Sequence, residues 1–138
     1  MSTLTDADYE ALADFRYQIR RYLDFSERAA RDQHLTPQQH QVLLAIRGLR
    51  RSRPVAIRTL AERLLLQHHS VIGLIDRLER RGLVRRERDE ADRRRVALTL
   101  TRPGAVLLER LSLAHRQELA ASAPALVRTL GGLVAERR

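Results

Sequence analysis

One segment just past the middle of the chain, residues 82–104, constrains the fold most strongly. Residues 84–88 are compatible with one β-strand and residues 96–101 with a second, since apolar side chains alternate along the second stretch. These alternating side chains are Val96, Leu98 and Leu100. The residues between the strands, 89–95, are charged and end in three consecutive arginines. The segment therefore predicts a β-hairpin with a basic tip, which is suited to entering a groove of nucleic acid.

The charge of the chain is concentrated in the same region. The 138 residues have a net charge of +9, of which residues 47–95 contribute +8, residues 1–46 contribute −2 and residues 96–138 contribute +3. Such asymmetry is expected of a protein that contacts phosphates. All 26 basic residues are arginine. The alternative to phosphate contact is therefore that codon bias produced the arginines and that they form a basic surface in contact with solvent alone. Codon bias explains the choice of arginine over lysine, but it does not explain the clustering.

Composition excludes several classes of protein. The chain has no cysteine, which excludes disulfides, thiol redox sensing and cysteine-ligated zinc. It has no run of 18 apolar residues that could span a membrane, and its N-terminus lacks the features of a signal peptide. We therefore expect no membrane contact and a cytoplasmic location. We also find no converging set of nucleophile, base or metal ligands, so we expect no enzyme activity and no cofactor.

Long helices are predicted at both ends of the chain. Apolar residues recur at helical spacing over residues 8–32, and Thr5 with Asp8 has the spacing of a capping box. After the hairpin we expect one helix over residues 104–121 and a last helix beginning at Pro124. Apolar stripes of this length exceed what a small core can cover, which indicates a partner surface and hence a homodimer.

Three shorter helices are predicted between the first helix and the hairpin. Thr36, Pro37 and Gln39 are a strong helix start signal for the first of them, which should end near Gly48. The other two, over residues 57–64 and 68–81, are separated by a tight turn at 65–67 and end at Gly82, in the manner of a helix-turn-helix. The fold predicted is thus mainly α with a small β-hairpin wing. It is a single domain with a winged helix-turn-helix core over residues 35–101 and dimerisation helices over 1–34 and 102–138.

The second helix of such a motif enters the major groove of DNA with its N-terminus first. The predicted contacts from this helix are Gln67, His68, His69, Ser70, Gly73 and Arg77. Glutamine can form two hydrogen bonds with adenine, and histidine or serine can bond to base edges or phosphates. Gly73 would let the helix approach the DNA closely. The predicted contacts of the hairpin are Arg85, Arg93 and Arg94.

Other polar clusters have two interpretations. Adjacent histidines at 68 and 69 point about 100° apart on a helix and have no further ligand near them, so we predict contact with DNA or solvent instead of a metal site. Three other histidines, His34, His40 and His115, are predicted at the surface or at an interface. Asp92 lies in an acidic turn among arginines, where pairing with an arginine to order the wing is favoured over acid–base chemistry. Aromatic and polar groups also suggest an effector pocket near Tyr22, Phe25 and His40.

Three sequence motifs carry a resemblance to a known family. Asp92-Arg93-Arg94 is followed after three residues by Leu98-Thr99-Leu100-Thr101-Arg102-Pro103-Gly104, and this motif is similar to the wing signature of the MarR family of winged helix regulators. Residues 60–64 and 76–84 are similar to the flanks of its reading helix. Two departures are Leu65, where the family often has glycine in the turn, and the His68-His69 pair, which is not its commonest reading pair.

The resemblance implies a homodimer that binds a palindromic operator in double-stranded DNA. It implies one reading helix in each major groove, a wing in each adjacent minor groove, and dimerisation through the terminal helices. It further implies repression, sometimes activation, that a small aromatic or phenolic effector relieves. The alternatives are a winged helix used for protein–protein contact and an architectural DNA-binding module without sequence preference.

Overall fold

The structure is a computed structural model, and it describes residues 3–51, 54–88, 91–92 and 94–135. In these residues the chain forms five helices and two strands. In chain order they are α1 (Asp6–Asp32), α2 (Pro37–Leu49), α3 (Ile57–Leu64), α4 (His68–Arg80), β1 (Val84–Arg88), β2 (Val96–Leu100) and α5 (Arg102–Val134). The mainly helical fold with one antiparallel hairpin confirms the predicted fold class. None of the described helices is both long and apolar enough to cross a membrane.

Two of the predicted helix starts are made by capping boxes. The Thr5 N–H donates to Asp8 Oδ2 at 2.7 Å, and the Asp8 N–H donates to Thr5 Oγ1 at 3.3 Å. Thr36 and Gln39 exchange the same pair of bonds at 3.0 and 3.1 Å. These bonds satisfy N–H groups that a helix start leaves without partners. Both boxes were predicted from spacing alone.

The chain divides into two units, residues 30–111 and the combination of residues 1–29 with 112–138. The unit of residues 30–111 contains α2, α3, α4 and the hairpin. Its core consists of aliphatic side chains that are almost fully buried, among them Val42, Leu43, Ile46, Val55, Leu60, Val71, Ile75, Leu78 and Leu98. This core fixes the elements that carry the predicted DNA contacts. The other unit contains most of α1 and the C-terminal part of α5.

The prediction of a helix break before Pro124 was wrong, because α5 runs without interruption from Arg102 to Val134. Proline removes one helical hydrogen bond and normally ends or kinks a helix. Here the turn beyond Pro124 is attached to α1, since Thr129 Oγ1 donates to Asp14 Oδ2 at 2.7 Å and accepts from Gln18 Nε2 at 3.0 Å. These bonds join residues over a hundred positions apart in the sequence. They attach to α1 the part of α5 that follows Pro124, where the proline predicts a break.

The hairpin is fixed at its base by a third segment. β1 and β2 pair antiparallel with Val84 opposite Leu100 and Arg88 opposite Val96. The Leu98 N–H also donates to the carbonyl of Val55 at 2.7 Å, and the Leu98 side chain is buried. The hairpin therefore extends from the core as a wing, and its base cannot slide along the core without breaking this bond.

Candidate nucleic-acid interface

The turn between α3 and α4 is set by a left-handed residue. Leu65 has φ 55° and ψ 43°, and its N–H donates to the carbonyl of Ala61. The Leu66 N–H donates to the same carbonyl at 3.0 Å. A left-handed residue that closes a helix in this way is usually glycine, so Leu65 adopts a conformation that is unfavourable for its side chain. Its side chain is 91% exposed, and exposure removes any clash with the core.

The first turn of α4 presents polar side chains and backbone N–H groups to solvent. Gln67 is the N-cap residue, but its side chain makes no capping hydrogen bond. Gln67, His68 and His69 are exposed and Ser70 is half-buried. A helix start without a side-chain cap has unpaired N–H groups and a partial positive charge, which suits phosphate. The four residues predicted to lead into a groove thus lie at one accessible helix end.

The opposite face of α4 packs into the core and holds this end in place. Val71, Leu74, Ile75 and Leu78 are buried. Ile72, next to Val71 on this helix, is only half-buried. At Gly73 an added Cβ would meet no atom within 4 Å, so the helix surface there is open. Arg77 is exposed on the next turn.

Arg86 of β1 connects the wing to α4. Its Nη2 donates to Asp76 Oδ1 at 2.7 Å and its Nη1 to Glu79 Oε1 at 2.5 Å. The hydrogen bond with Asp76 raises the pKa of Arg86 above its ordinary value. Burial of the guanidinium lowers this pKa, whereas the nearby charge of Glu79 raises it further. This contact was not predicted from the sequence. The only available signal was the position of Arg86, which alternation along β1 places on the same face as the buried Val84.

Asp92 organises the part of the wing tip that the structure describes. Its Oδ1 accepts from the Arg94 N–H at 3.0 Å. The Arg94 Nε lies 3.7 Å from Oδ1, and the Arg95 Nε lies 3.8 Å from Oδ2. The Arg94 side chain remains 95% exposed, so its guanidinium is accessible while its backbone is held. The predicted contact Arg93 lies outside the described residues.

Arg85 also faces solvent on the wing. Its side chain is 63% exposed, and its Nη1 lies 3.6 Å from Glu87 Oε1 on the same strand. Such an exposed pair contributes little to stability. The guanidinium can therefore exchange this partner for a phosphate at small cost.

The prediction that all three scattered histidines lie at the surface or an interface was wrong for two of them. His40 is 4% exposed and His115 is 8% exposed, whereas His34 is exposed with a left-handed φ of 60°. His115 Nε2 lies 2.8 Å from Ser26 Oγ. The rings of Tyr22 and Phe25 meet the His115 ring edge-on, at centroid distances of 6.0 and 5.3 Å. Of the predicted effector pocket, the structure thus brings Tyr22 and Phe25 together around His115, while His40 belongs to the unit of residues 30–111.

Within the described part of the chain, no group of three histidine, aspartate or glutamate side chains is arranged to hold a metal ion. His68 and His69 are exposed side chains at the start of α4.

Comparison with known proteins agrees with this geometry. Residues 35–95 match the sequence model of the MarR family. The winged helix of this chain is therefore similar to the MarR family, and the fold is similar to that of solved transcription regulators of this type. No match was found among curated protein sequences.

Several solved MarR-type structures have a similar fold. A point mutant of MepR from S. aureus, bound to an oligodeoxyribonucleotide, has 22% identity and a TM-score of 0.66, over 97% of this chain and 87% of that chain. Apo MarR from E. coli has 22% identity and a TM-score of 0.68, over 87% and 93%. BpsR from Bordetella bronchiseptica, whose DNA binding is regulated by 6-hydroxynicotinic acid, has 26% identity and a TM-score of 0.59, over 88% and 91%.

Proposed function

We propose that this protein is a cytoplasmic transcriptional repressor that binds a palindromic operator in double-stranded DNA as a homodimer. The observation that carries the proposal is the accessible start of α4 beside a wing on which Arg85 and Arg94 face solvent. A buried helix face and the Arg86 contacts hold the two parts in one arrangement. The arrangement offers base contacts and phosphate contacts from one rigid surface, as sequence-specific DNA binding requires.

Different residues of this surface serve different purposes in the proposal. Gln67, His68, His69 and Ser70 contact base edges in the major groove, where the pattern of donors and acceptors is distinct for each base pair. Arg77, Arg85 and Arg94, together with Arg93, contact phosphates or the minor groove. Asp92 contacts no DNA; it holds the backbone at the wing tip so that Arg94 extends outward.

The homodimer is supported by the apolar surface of the long helices. Large apolar side chains are exposed on both helices of the unit of residues 1–29 and 112–138, among them Leu12, Leu23, Leu113, Val127 and Val134. A monomer seldom leaves so many apolar side chains in water. A homodimer offers two reading helices, which suits two half-sites about one turn of DNA apart.

Control by a small aromatic effector is the last part of the proposal. It is supported by the similarity to BpsR, whose DNA binding 6-hydroxynicotinic acid regulates. An effector would act by favouring a dimer geometry in which the two reading helices no longer match the half-sites.

The proposal is tested by the salt dependence of binding to a duplex carrying an inverted repeat from the region upstream of the gene. For Arg94→Ala we expect weaker binding to every sequence and a plot of log Kd against log salt that is shallower by about one unit per protomer. For Gln67→Ala we expect a changed preference at one base pair, by about 1–3 kcal/mol, with the same slope. Arg116→Ala, at an exposed arginine outside residues 30–111, is the matched control and should change neither.

Three results would contradict the proposal in different ways. An unchanged slope for Arg94→Ala removes that residue from the phosphate contacts. Absence of salt-dependent affinity for any duplex would point to a winged helix used for protein contact. Equal affinity for all duplexes, with no protected palindrome in a footprint, would point to an architectural DNA-binding protein.

A further inference from the structure

Most of the positive charge in the middle of the chain lies outside the proposed DNA-contacting surface. Residues 47–95 contribute +8, and residues 47–58, with five arginines and no acidic residue, contribute +5 of it. Residues 59–95, which contain the reading helix and the wing, have ten arginines and seven acidic residues and contribute only +3. No acidic residue occurs from position 33 to position 61. The proposed function therefore leaves the larger part of this charge unexplained.

The described arginines at the end of α2 are open to solvent. Arg47 lies in the last turn of the helix and Arg50 is its C-cap residue. Arg51 follows, and all three residues are exposed. None of the three has an ion pair among the described residues. The dipole of a helix attracts cations to its C-terminus, but it corresponds to only about half an elementary charge. These three arginines, called the basic cluster below, are therefore available to an anionic partner.

The basic cluster adjoins a face of α2 that points away from α4. The buried side chains of α2, such as Val42 and Ile46, lie where the helix packs against α3, α4 and β2. Gln41, Leu44 and Gly48 recur at spacings of three and four, so they share one face, and all three are exposed. The α4 helix meets α2 through its own buried side and presents its exposed side to DNA in the proposed function. The exposed face of α2 is therefore separate from the proposed DNA contacts.

Gly48 suits this face to the close approach of another helix. Glycine inside a helix costs up to about 1 kcal/mol relative to alanine. A Cβ at Gly48 would meet no atom within 4 Å, and its φ is not in the left-handed region, where among the glycines only Gly82 lies. Neither packing nor backbone conformation within the chain therefore requires glycine here. Leu44, one turn earlier, is 49% exposed and offers an apolar contact beside the open backbone.

We propose that the exposed face of α2, together with the basic cluster, docks an acidic amphipathic helix of a partner protein. Helices recognise partners in this way through an apolar stripe, which here would pack on Leu44 and beside Gly48. Carboxylates of the partner would form charge-assisted hydrogen bonds with the arginines. Nucleic acid would use the arginines without using Leu44, so the apolar side chain favours a peptide. The docking does not depend on the proposed function, and the operator and the partner can be bound together.

A labelled peptide tests the docking directly. The probe is a fluorescein-labelled peptide of about 18 residues, long enough to form a helix in water, with leucine at helical spacing and glutamate or alanine elsewhere. We expect its fluorescence anisotropy to rise on titration with the full-length protein at about 0.15 M salt, where long-range attraction is largely screened. Two control peptides should bind at least about tenfold more weakly. One has lysine in place of glutamate, and the other has the same composition with its leucines spread around the helix.

Three variants locate the docking surface. Arg50→Gln combined with Arg51→Gln should weaken probe binding by about tenfold or more, because it removes two charged donors. Leu44→Ser should weaken it by about fivefold, through loss of apolar contact. Gly48→Gln should also weaken it by about fivefold, because its side chain occupies the open backbone. It should not lower stability in urea, since glutamine favours a helix more than glycine does. A purely structural role of Gly48 would not separate binding from stability in this way.

Arg85→Gln combined with Arg94→Gln is the matched control, because it removes the same charge from the proposed DNA-contacting surface. It should leave probe binding unchanged and weaken operator binding. The variant of Arg50 and Arg51 should do the reverse. Since the two surfaces are separate, protein bound to the operator should still bind the probe, and a native gel would show fluorescein in the shifted band.

Several outcomes would overturn the proposal. They are absence of probe binding, equal binding of the control peptides, and unchanged binding by the variant of Arg50 and Arg51. Loss of operator affinity in that variant, with a shallower salt dependence, would assign the basic cluster to DNA phosphates. A shift of Gly48→Gln to the monomer in sedimentation would assign the face to a second copy of the chain. Probe binding without DNA binding would overturn the proposed function alone, and DNA binding without probe binding would overturn the docking surface alone.

Discussion

At the scale of single residues, one backbone contact fixes where α5 leaves the wing. The Thr101 N–H donates to the Leu83 carbonyl at 3.1 Å, and Thr101 Oγ1 donates to the Gly82 carbonyl at 2.6 Å. The Gly104 N–H then donates to Thr101 Oγ1 at 3.1 Å, which caps the helix. Gly82 has a φ of 73°, a left-handed value that glycine adopts without strain. The end of α4 and the start of α5 thus meet at one tight backbone junction.

Gly104 is the residue at this junction that tolerates no side chain. A Cβ at Gly104 would lie 2.1 Å from the Leu83 carbonyl oxygen, so the backbone would have to move. We expect Gly104→Ala to lower the free energy of unfolding by about 3 kcal/mol or more. Urea denaturation measures this change. Gly48→Ala, where a Cβ meets no atom within 4 Å, is the control and should raise stability by up to about 1 kcal/mol; equal effects of the two variants would contradict the argument.

At the scale of elements, the relation between α4 and the wing depends on Arg86. Two carboxylates one turn apart on α4 bind the two ends of one guanidinium on β1. The Arg86 side chain is 29% exposed, so solvent screens the interaction only in part. A guanidinium bound by two carboxylates is held more firmly and in a better-defined orientation than one in a single surface ion pair. The contact also offsets the negative charge that Asp76 and Glu79 would otherwise present close to DNA.

This contact predicts an energetic coupling between strand and helix. A double-mutant cycle of Arg86→Met with Asp76→Asn should give a coupling energy of about 1 kcal/mol in urea unfolding. The affinity for DNA should fall in Arg86→Met, since the wing loses its orientation relative to the reading helix. The same cycle with Arg85→Met, at an exposed arginine that does not contact Asp76, should give no coupling. A coupling near zero for Arg86 would mean that solvent competes with the contact.

At the scale of the whole molecule, the exposed apolar residues of α1 and α5 decide the association state. Val127 is 66% exposed and Val134 is 78% exposed in the single chain. The hydrophobic effect contributes roughly 25 cal/mol for each Å² of such surface removed from water. In the proposed homodimer, two protomers would therefore gain stability through these helices.

We expect the protein to sediment with about twice its chain mass of 15.9 kDa at micromolar concentration. Val127→Glu should shift this equilibrium toward the monomer, because it places a charge in the proposed interface, and operator affinity should fall with it. Leu44→Glu alters an exposed apolar residue on α2 and should leave the mass unchanged. A monomeric wild type, or a Val127→Glu variant of full dimer mass, would rule out this interface.

The sequence by itself determined the order of most elements and the place of the proposed DNA-contacting surface. The signals that determined these elements act through neighbours a few residues away. They are the caps at Thr5 and Thr36, the helix stop at Gly82 and the alternation along β2. Local signals of this kind can be interpreted without knowing the rest of the fold. The clustering of arginines is likewise a property of the chain, and it predicts phosphate contact.

Tertiary structure alone decided the features that depend on residues far apart in the sequence. The helix continues through Pro124 because Thr129 bonds to Asp14 and Gln18, over a hundred residues away. His115 is buried because Ser26 and two aromatic rings of α1 surround it. The contacts of Arg86 with Asp76 and Glu79 arise in the same way, since spacing along one segment carries no information about which side chains of another segment will meet it.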